Sequence, residues 1–344
     1  METSFEAQPP AFGLPDPVAL ALAAPPPDRV AEPEGFIVEL APGERIHFLD
    51  WGGPAPIQET ADGRAGGTPL LAGVLLVHGL GGTAWAWTAA SRRLRGAVRT
   101  VAVDLRGHGL SDAPTEPYDA ATLAADIVAV VEGAGLVPMA GFGTDGGGAG
   151  ARRVVLVGHG YGAIVAAWTA AALGRRCAGL VLVDGGWQDV ARETGLSPSE
   201  WLRDIAEPPE VLRSMPAFLA DRRAWDPSSW DADEERAARA TVVEVPAGRL
   251  LPAIRPHAMG RSVEAIFAYD PVATLATLDL PLVAAVAADD EAGAKSAALA
   301  EVDLARRAAG RSPIAVIRFP DDGHNLPRYR PAELAGAILR LAGE

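Results

Sequence analysis

The stretch from Val154 to Ala167 constrains this chain more than any other. Four consecutive apolar residues, Val154-Val155-Leu156-Val157, meet a glycine cluster and restart at once as an alanine-rich run with helical spacing. That pattern spells a buried parallel strand turning sharply into a helix. Small residues at such a turn let the two backbones pass closely. Here the elbow reads Gly158-His159-Gly160-Tyr161-Gly162, so the apex residue, Gly160, carries no side chain.

The rest of the chain supplies the sheet that such an elbow needs. Phe36 to Leu40 and Arg45 to Trp51 alternate around Pro42-Gly43 as a hairpin would. Leu70 to Val77, Thr100 to Val103, Gly179 to Val183, Pro281 to Ala287 and Ile314 to Phe319 read as short buried strands, with helical patterns between them. This alternation predicts an α/β fold, a mostly parallel doubly wound sheet covered on both faces with the antiparallel hairpin at one end. Between Trp187 and Asp270 the rhythm changes to short helical pieces with tryptophans, charges and prolines and no convincing strand. A helical cap inserted into the sheet domain accounts for it. The expected division is a disordered or loosely draped arm over 1–34, a core made of 35–186 and 271–344, and a cap over 187–270. The glycine-dense segment from 133 to 150 reads as a surface insertion, because the helix that a phosphate cradle requires does not follow it.

Composition narrows the partners. Over 344 residues the formal charge is -14, which argues against nucleic acid or an anionic membrane, both of which are held through basic patches. The single cysteine, Cys177, excludes an internal disulfide framework and fits a reducing compartment, so cytoplasmic is the expected location. No apolar run reaches the length of a membrane span. Histidines lack metal-ligand spacing, and there is neither a CxxC pair nor a Walker loop, so no metal or cofactor is expected. A small molecule remains as the expected partner; the oligomeric state is left open.

Chemistry in open α/β sheets gathers at the carboxyl ends of the strands, and the polar clusters of this chain fall there. They are His78-Gly79-Leu80-Gly81, Asp104-Leu105-Arg106-Gly107-His108-Gly109-Leu110-Ser111, Gly158-His159-x-x-Gly162, Asp290 and His324. In that order the five landmarks resemble the α/β-hydrolase superfamily, in its capped branch of esterases, lactonases and C–C hydrolases. The resemblance extends from about residue 36 to the C-terminus. It implies that His324 is the general base, that Asp290 orients it, with Asp289 as the alternative acid, and that the backbone amides of Leu80 and Tyr161 form an oxyanion hole. The plainer reading of Asp289 is a helix N-cap, and Asp184, also at a strand end, is expected to serve a turn. His108 and His159 could border a substrate pocket, although the Arg-Gly-His-Gly turn serves first to reverse the chain.

The departure from the family pattern is Gly160, which stands where the resemblance implies a serine nucleophile. Covalent catalysis requires an oxygen, sulfur or carboxylate at that position. Cys177 precedes a strand and belongs at the opposite edge of the sheet; Ser111 and Thr83 are not on the elbow. Two functions are therefore expected as alternatives. One is an enzyme acting on a small ester, lactone or diketone by a non-covalent route, with a His/Asp pair activating water. The other is a catalytically inactive relative that binds a small apolar ligand or a protein partner. The cap aromatics, among them Trp187, Trp201, Trp225 and Phe218, read mainly as cap core, and Arg255, His257 and Arg261 as a solvated face.

Overall fold

A computed structural model of the protein describes residues 16–41, 43–54, 71–139, 152–246, 248–289 and 293–343. Its main sheet has eight strands in the order β1(Glu34–Ala41), β2(Glu44–Asp50), β4(Thr100–Val103), β3(Leu71–Val77), β5(Arg153–His159), β6(Cys177–Val183), β9(Leu282–Val286), β10(Ala315–Arg318). The β1–β2 and β2–β4 pairings are antiparallel and every other pairing is parallel, as the sequence predicts. The inner strands are apolar on both faces because both faces are covered. Leu75, Val77, Val154 and Leu156 enter one core layer, while Val74, Leu76, Val155 and Val157 enter the other. That two-residue alternation is the strand period itself.

Helices α2(Thr88–Leu94), α3(Ala120–Gly133), α4(Tyr161–Leu173), α10(Pro271–Leu275), α11(Ala294–Ala308) and α13(Pro331–Gly343) cover the sheet, and the short α12(Leu326–Tyr329) leads into α13. The helix α4 that follows the elbow is buried along most of its surface, which explains a sequence with almost no polar side chain. The glycine-dense segment lies outside the described residues from 140 to 151.

Two expectations need correction. The arm over 1–34 is described from residue 16, and there it is ordered: α1(Pro17–Ala23) packs Leu20, 1% exposed, against α13 at Gly336. Arginines of α2 and its C-cap fasten the chain that follows α1. Arg92 Nε donates to the Ala31 carbonyl, Arg93 to that of Pro25, and Arg95 pairs with Asp28. A single buried leucine and a row of partners elsewhere in the chain leave no periodic signature in the arm itself. The second correction concerns 187–270. It contains α5(Val190–Thr194), α6(Pro198–Asp204), α7(Met215–Trp225), α8(Ala232–Ala240) and α9(Pro256–Phe267), but also a two-stranded hairpin, β7(Val242–Glu244) with β8(Leu250–Pro252). Strands of three residues are too short to produce a readable alternation. Arg328 of α12, 6% exposed, ties this segment to the core by donating to the carbonyls of Arg222 and Asp226 and to Ser229 Oγ.

Candidate active site

Gly160 is the N-cap of α4 at φ 53°, ψ −116°. This is a region of positive φ that side-chain-bearing residues rarely adopt, so the elbow keeps a strained backbone that glycine occupies without a Cβ penalty. The frame around it is tight. A Cβ on Gly162 would lie 2.3 Å from the His78 carbonyl oxygen, and one on Gly185 would lie 2.7 Å from the Gly160 Cα. Both neighbours must therefore be glycine for β3, the elbow and the turn after β6 to meet.

His324, in the loop between β10 and α12, faces this apex. A Cβ built on Gly160 would lie 3.1 Å from His324 Nε2 and 4.0 Å from the Gly79 Cα. The other ring nitrogen, Nδ1, donates to Asp184 Oδ2 at 2.7 Å, which fixes the tautomer so that Nε2 presents its lone pair toward Gly160 when the ring is neutral. The histidine ring is 61% exposed and the aspartate side chain is fully buried.

The carboxylate on His324 is thus Asp184, for which the sequence suggests a turn role, where the expected partner was Asp290. Asp290 itself lies outside the described residues. Chain order does not discriminate between the two, because residue 184 also falls between 160 and 324. Nor does sheet order, because the ends of β6 and β9 both lie between the elbow strand and β10; the 2.7 Å contact itself identifies Asp184. The readable signal was the Asp184-Gly185-Gly186 turn at the end of an apolar strand, the kind of glycine cluster that marks the elbow too. Asp184 adopts φ 42°, the one described non-glycine residue with positive φ. Its Oδ1 accepts the Ala287 amide at 3.0 Å, and Lys295 Nζ lies 3.0 Å from Oδ1 and 2.8 Å from Oδ2. Burial works to raise its pKa, but the hydrogen bonds from His324 and Lys295 outweigh that penalty and hold the carboxyl below its ordinary range. Asp289, the alternative acid, behaves as the helix cap of its plainer reading: its carboxylate accepts the Lys295 and Ser296 amides in the first turn of α11.

The remaining candidates sort by burial. His159 Nε2 donates to the His324 carbonyl at 2.9 Å, and its ring packs 4.5 Å from that of His324. Burial, with the neighbouring His324 ring, pushes His159 down to about 3, so it is a neutral wedge between the elbow and the histidine loop. His108 is 1% exposed, donates through Nδ1 to the Arg106 carbonyl, and packs against His78. Burial pushes it down to about 3 as well. It belongs to the interior of its turn, as Asp104 does: that carboxylate accepts His47 Nδ1 and the amides of Ala84 and Leu110. His257 and Arg261 of α9 are spent on the loop before α3, reaching the Ala113 carbonyl and Glu116. Cys177 is buried at the start of β6, with its thiol pushed up to about 12 by burial, at the opposite end of the sheet from the apex.

Two backbone amides in the adjoining segments have no acceptor among the described residues. Tyr161 is the first residue of α4, so its amide has no acceptor one turn back, and the Leu80 amide makes no hydrogen bond among the described residues. The α4 N-terminus adds its positive dipole end. A bare apex and an oriented imidazole meet at the carboxyl edge of a mostly parallel sheet.

A model of the alpha/beta hydrolase family matches residues 74–337. The chain belongs to the alpha/beta hydrolase family. Among solved structures of this architecture, E-2-(acetamidomethylene)succinate hydrolase superposes with a TM-score of 0.65 at 20% identity, covering 91% of this chain and 100% of that one. The enol-lactonase of Burkholderia xenovorans LB400 superposes with a TM-score of 0.58 at 17% identity, covering 89% and 100%. At such identities the likeness is one of fold. Mouse epoxide hydrolase 4 is 33% identical over 102 residues, 29% of this chain and 23% of that protein. No helix among the described residues is long and apolar enough to cross a membrane.

Proposed function

We propose that the protein hydrolyses a small carbonyl compound, of the ester, lactone or diketone class, without a covalent intermediate. The observation that carries this reading is the aim of His324: Nδ1 is held by Asp184 at 2.7 Å while Nε2 faces the space above Gly160. A water in that space donates a proton to Nε2 as its oxygen attacks the substrate carbonyl. The amides of Leu80 and Tyr161 receive the developing oxyanion, and Asp184 stabilises the imidazolium. On collapse of the tetrahedral intermediate, the imidazolium returns its proton to the departing alkoxide, or to the departing carbanion in a diketone. Loss of the nucleophile from a serine triad costs roughly six orders of magnitude in turnover and leaves ~10³ to 10⁴ over water from cradle and binding. General-base delivery of water adds ~10² to 10⁴ to what remains.

A panel of ester, lactone and diketone substrates tests the reading, with an epoxide added because of the likeness to epoxide hydrolase 4. The protein is followed by intact mass spectrometry during turnover. Product formed without an acyl adduct on the chain supports the non-covalent route; an adduct overturns it. The bare apex equally motivates a second reading, a binder of a small apolar ligand or a protein partner that has no turnover. Saturable ligand binding with no product on any substrate selects that one.

A further inference from the structure

The mechanism above uses Asp184 and His324 and leaves Lys295 unexplained. This lysine stands in the first turn of α11, and its ammonium lies 3.0 and 2.8 Å from the two oxygens of Asp184, on a side chain 23% exposed. Its backbone is fixed independently, since Asp289 accepts its amide at 2.9 Å. Asp289, α11, Lys295, Asp184 and His324 thus form one connected series ending at the base. The series rests on the preceding reading only in treating His324 as that base.

We propose that Lys295 is a positioning residue for His324: it locks the Asp184 carboxylate between two partners and shares its charge, which keeps the imidazole a free base at more acidic pH than Asp184 alone would permit. An isolated buried carboxylate would favour the imidazolium strongly, because an unpaired anion in a low-dielectric site draws a proton onto its neighbour. With an ammonium on the same carboxylate, the pair carries no net charge and the imidazolium gains less from it. A base that must accept a proton from water works best when it is not already protonated at the operating pH.

The groups that face His324 come from every element around it. Asp184 follows β6, Lys295 enters from α11 behind it, and His159 ends β5 beneath the ring. Asp289 is engaged with the α11 amides, and Asp322 in the histidine's own loop pairs with Arg330. Lys295 and Arg330 are the cations among them, and Arg330 is spent on Asp322 and Glu333.

The test is an NMR titration of the His324 ring protons in the full chain, assigned by loss in His324→Ala, for the native protein, Lys295→Met, Lys295→Gln and Lys295→Arg. Removal of the cation is expected to raise the pH of half-protonation by about one unit in both the Met and Gln variants, while Arg leaves it near the native value. The exposed His257 serves as an internal reference that should not move. Lys295→Gln retains a donor to Asp184 in case Lys295→Met does not fold. An unchanged or lowered midpoint in the uncharged variants would overturn the proposal, as would failure of both to fold, which would make Lys295 a determinant of the fold. The readout needs no turnover, so an absence of hydrolysis would sink the proposed function and leave this result standing.

Discussion

Placing a serine at the apex probes the site most deeply. Gly160 sits at φ 53°, ψ −116°, where a side chain costs about 1–3 kcal/mol of backbone strain, offset by ~0.4–1 kcal/mol of unfolded-chain entropy that glycine would have had to lose. The new Cβ would stand 3.1 Å from His324 Nε2 and 3.4 Å from Cε1, too close by a few tenths of an ångström. The ring can retreat, since it is 61% exposed. Gly160→Ser is therefore expected to fold with a loss of about 1–2 kcal/mol, read from the urea midpoint. Its hydroxyl would lie within reach of Nε2, and an activated ester should give a burst of phenolate equal to the protein concentration, with an acyl adduct in the intact mass. The steady-state rate should rise by about two orders of magnitude or more, given what loss of such a serine costs in a working triad. A folded serine variant with neither burst nor adduct would refute the reasoning, because it would mean that the imidazole and the amide cradle are not competent.

Asp184→Asn should lower any His324-dependent rate by about 10² to 10⁴, because a neutral amide no longer stabilises the imidazolium and can hold the wrong tautomer; a rate equal to native would remove Asp184 from the site. Glu234 in α8 gives a test independent of the active site. Its side chain is 16% exposed, and burial pushes it from the ordinary 4.5 up to about 7 against the pull of Arg328, 3.7 Å away. A raised folded-state pKa contributes stability that is complete below the unfolded value and is lost as pH rises through the folded one, so unfolding free energy should fall between pH 4.5 and 7, by on the order of 2 kcal/mol. Glu234→Gln should flatten that decline in urea midpoints; parallel curves for the two proteins would contradict it.

Much of this architecture is legible in the chain because burial writes itself into sequence. The inner strands announce themselves as apolar runs ended by glycine or aspartate, and β4 is readable to the residue, Thr100 to Val103. His324 is found because it follows the last such strand. Asp184 is harder. Its partner is 140 residues away, and strand ends on both β6 and β9 stand between the elbow and β10, so neither chain order nor sheet order marks it; the side-chain contact does. Lys295 is harder still. A lysine at the start of a helix looks like any surface charge until the fold brings the end of β6 beneath it. The arm shows the same limit, since Leu20 is a core residue only because Gly336 leaves room for the backbone that carries it.

Product formation from an ester or lactone by the native chain and by His324→Ala, side by side and below saturation, tests most directly whether an oriented imidazole can work above an empty apex. The native chain should exceed the alanine variant by at least about 10². Equal rates in the two would contradict the account.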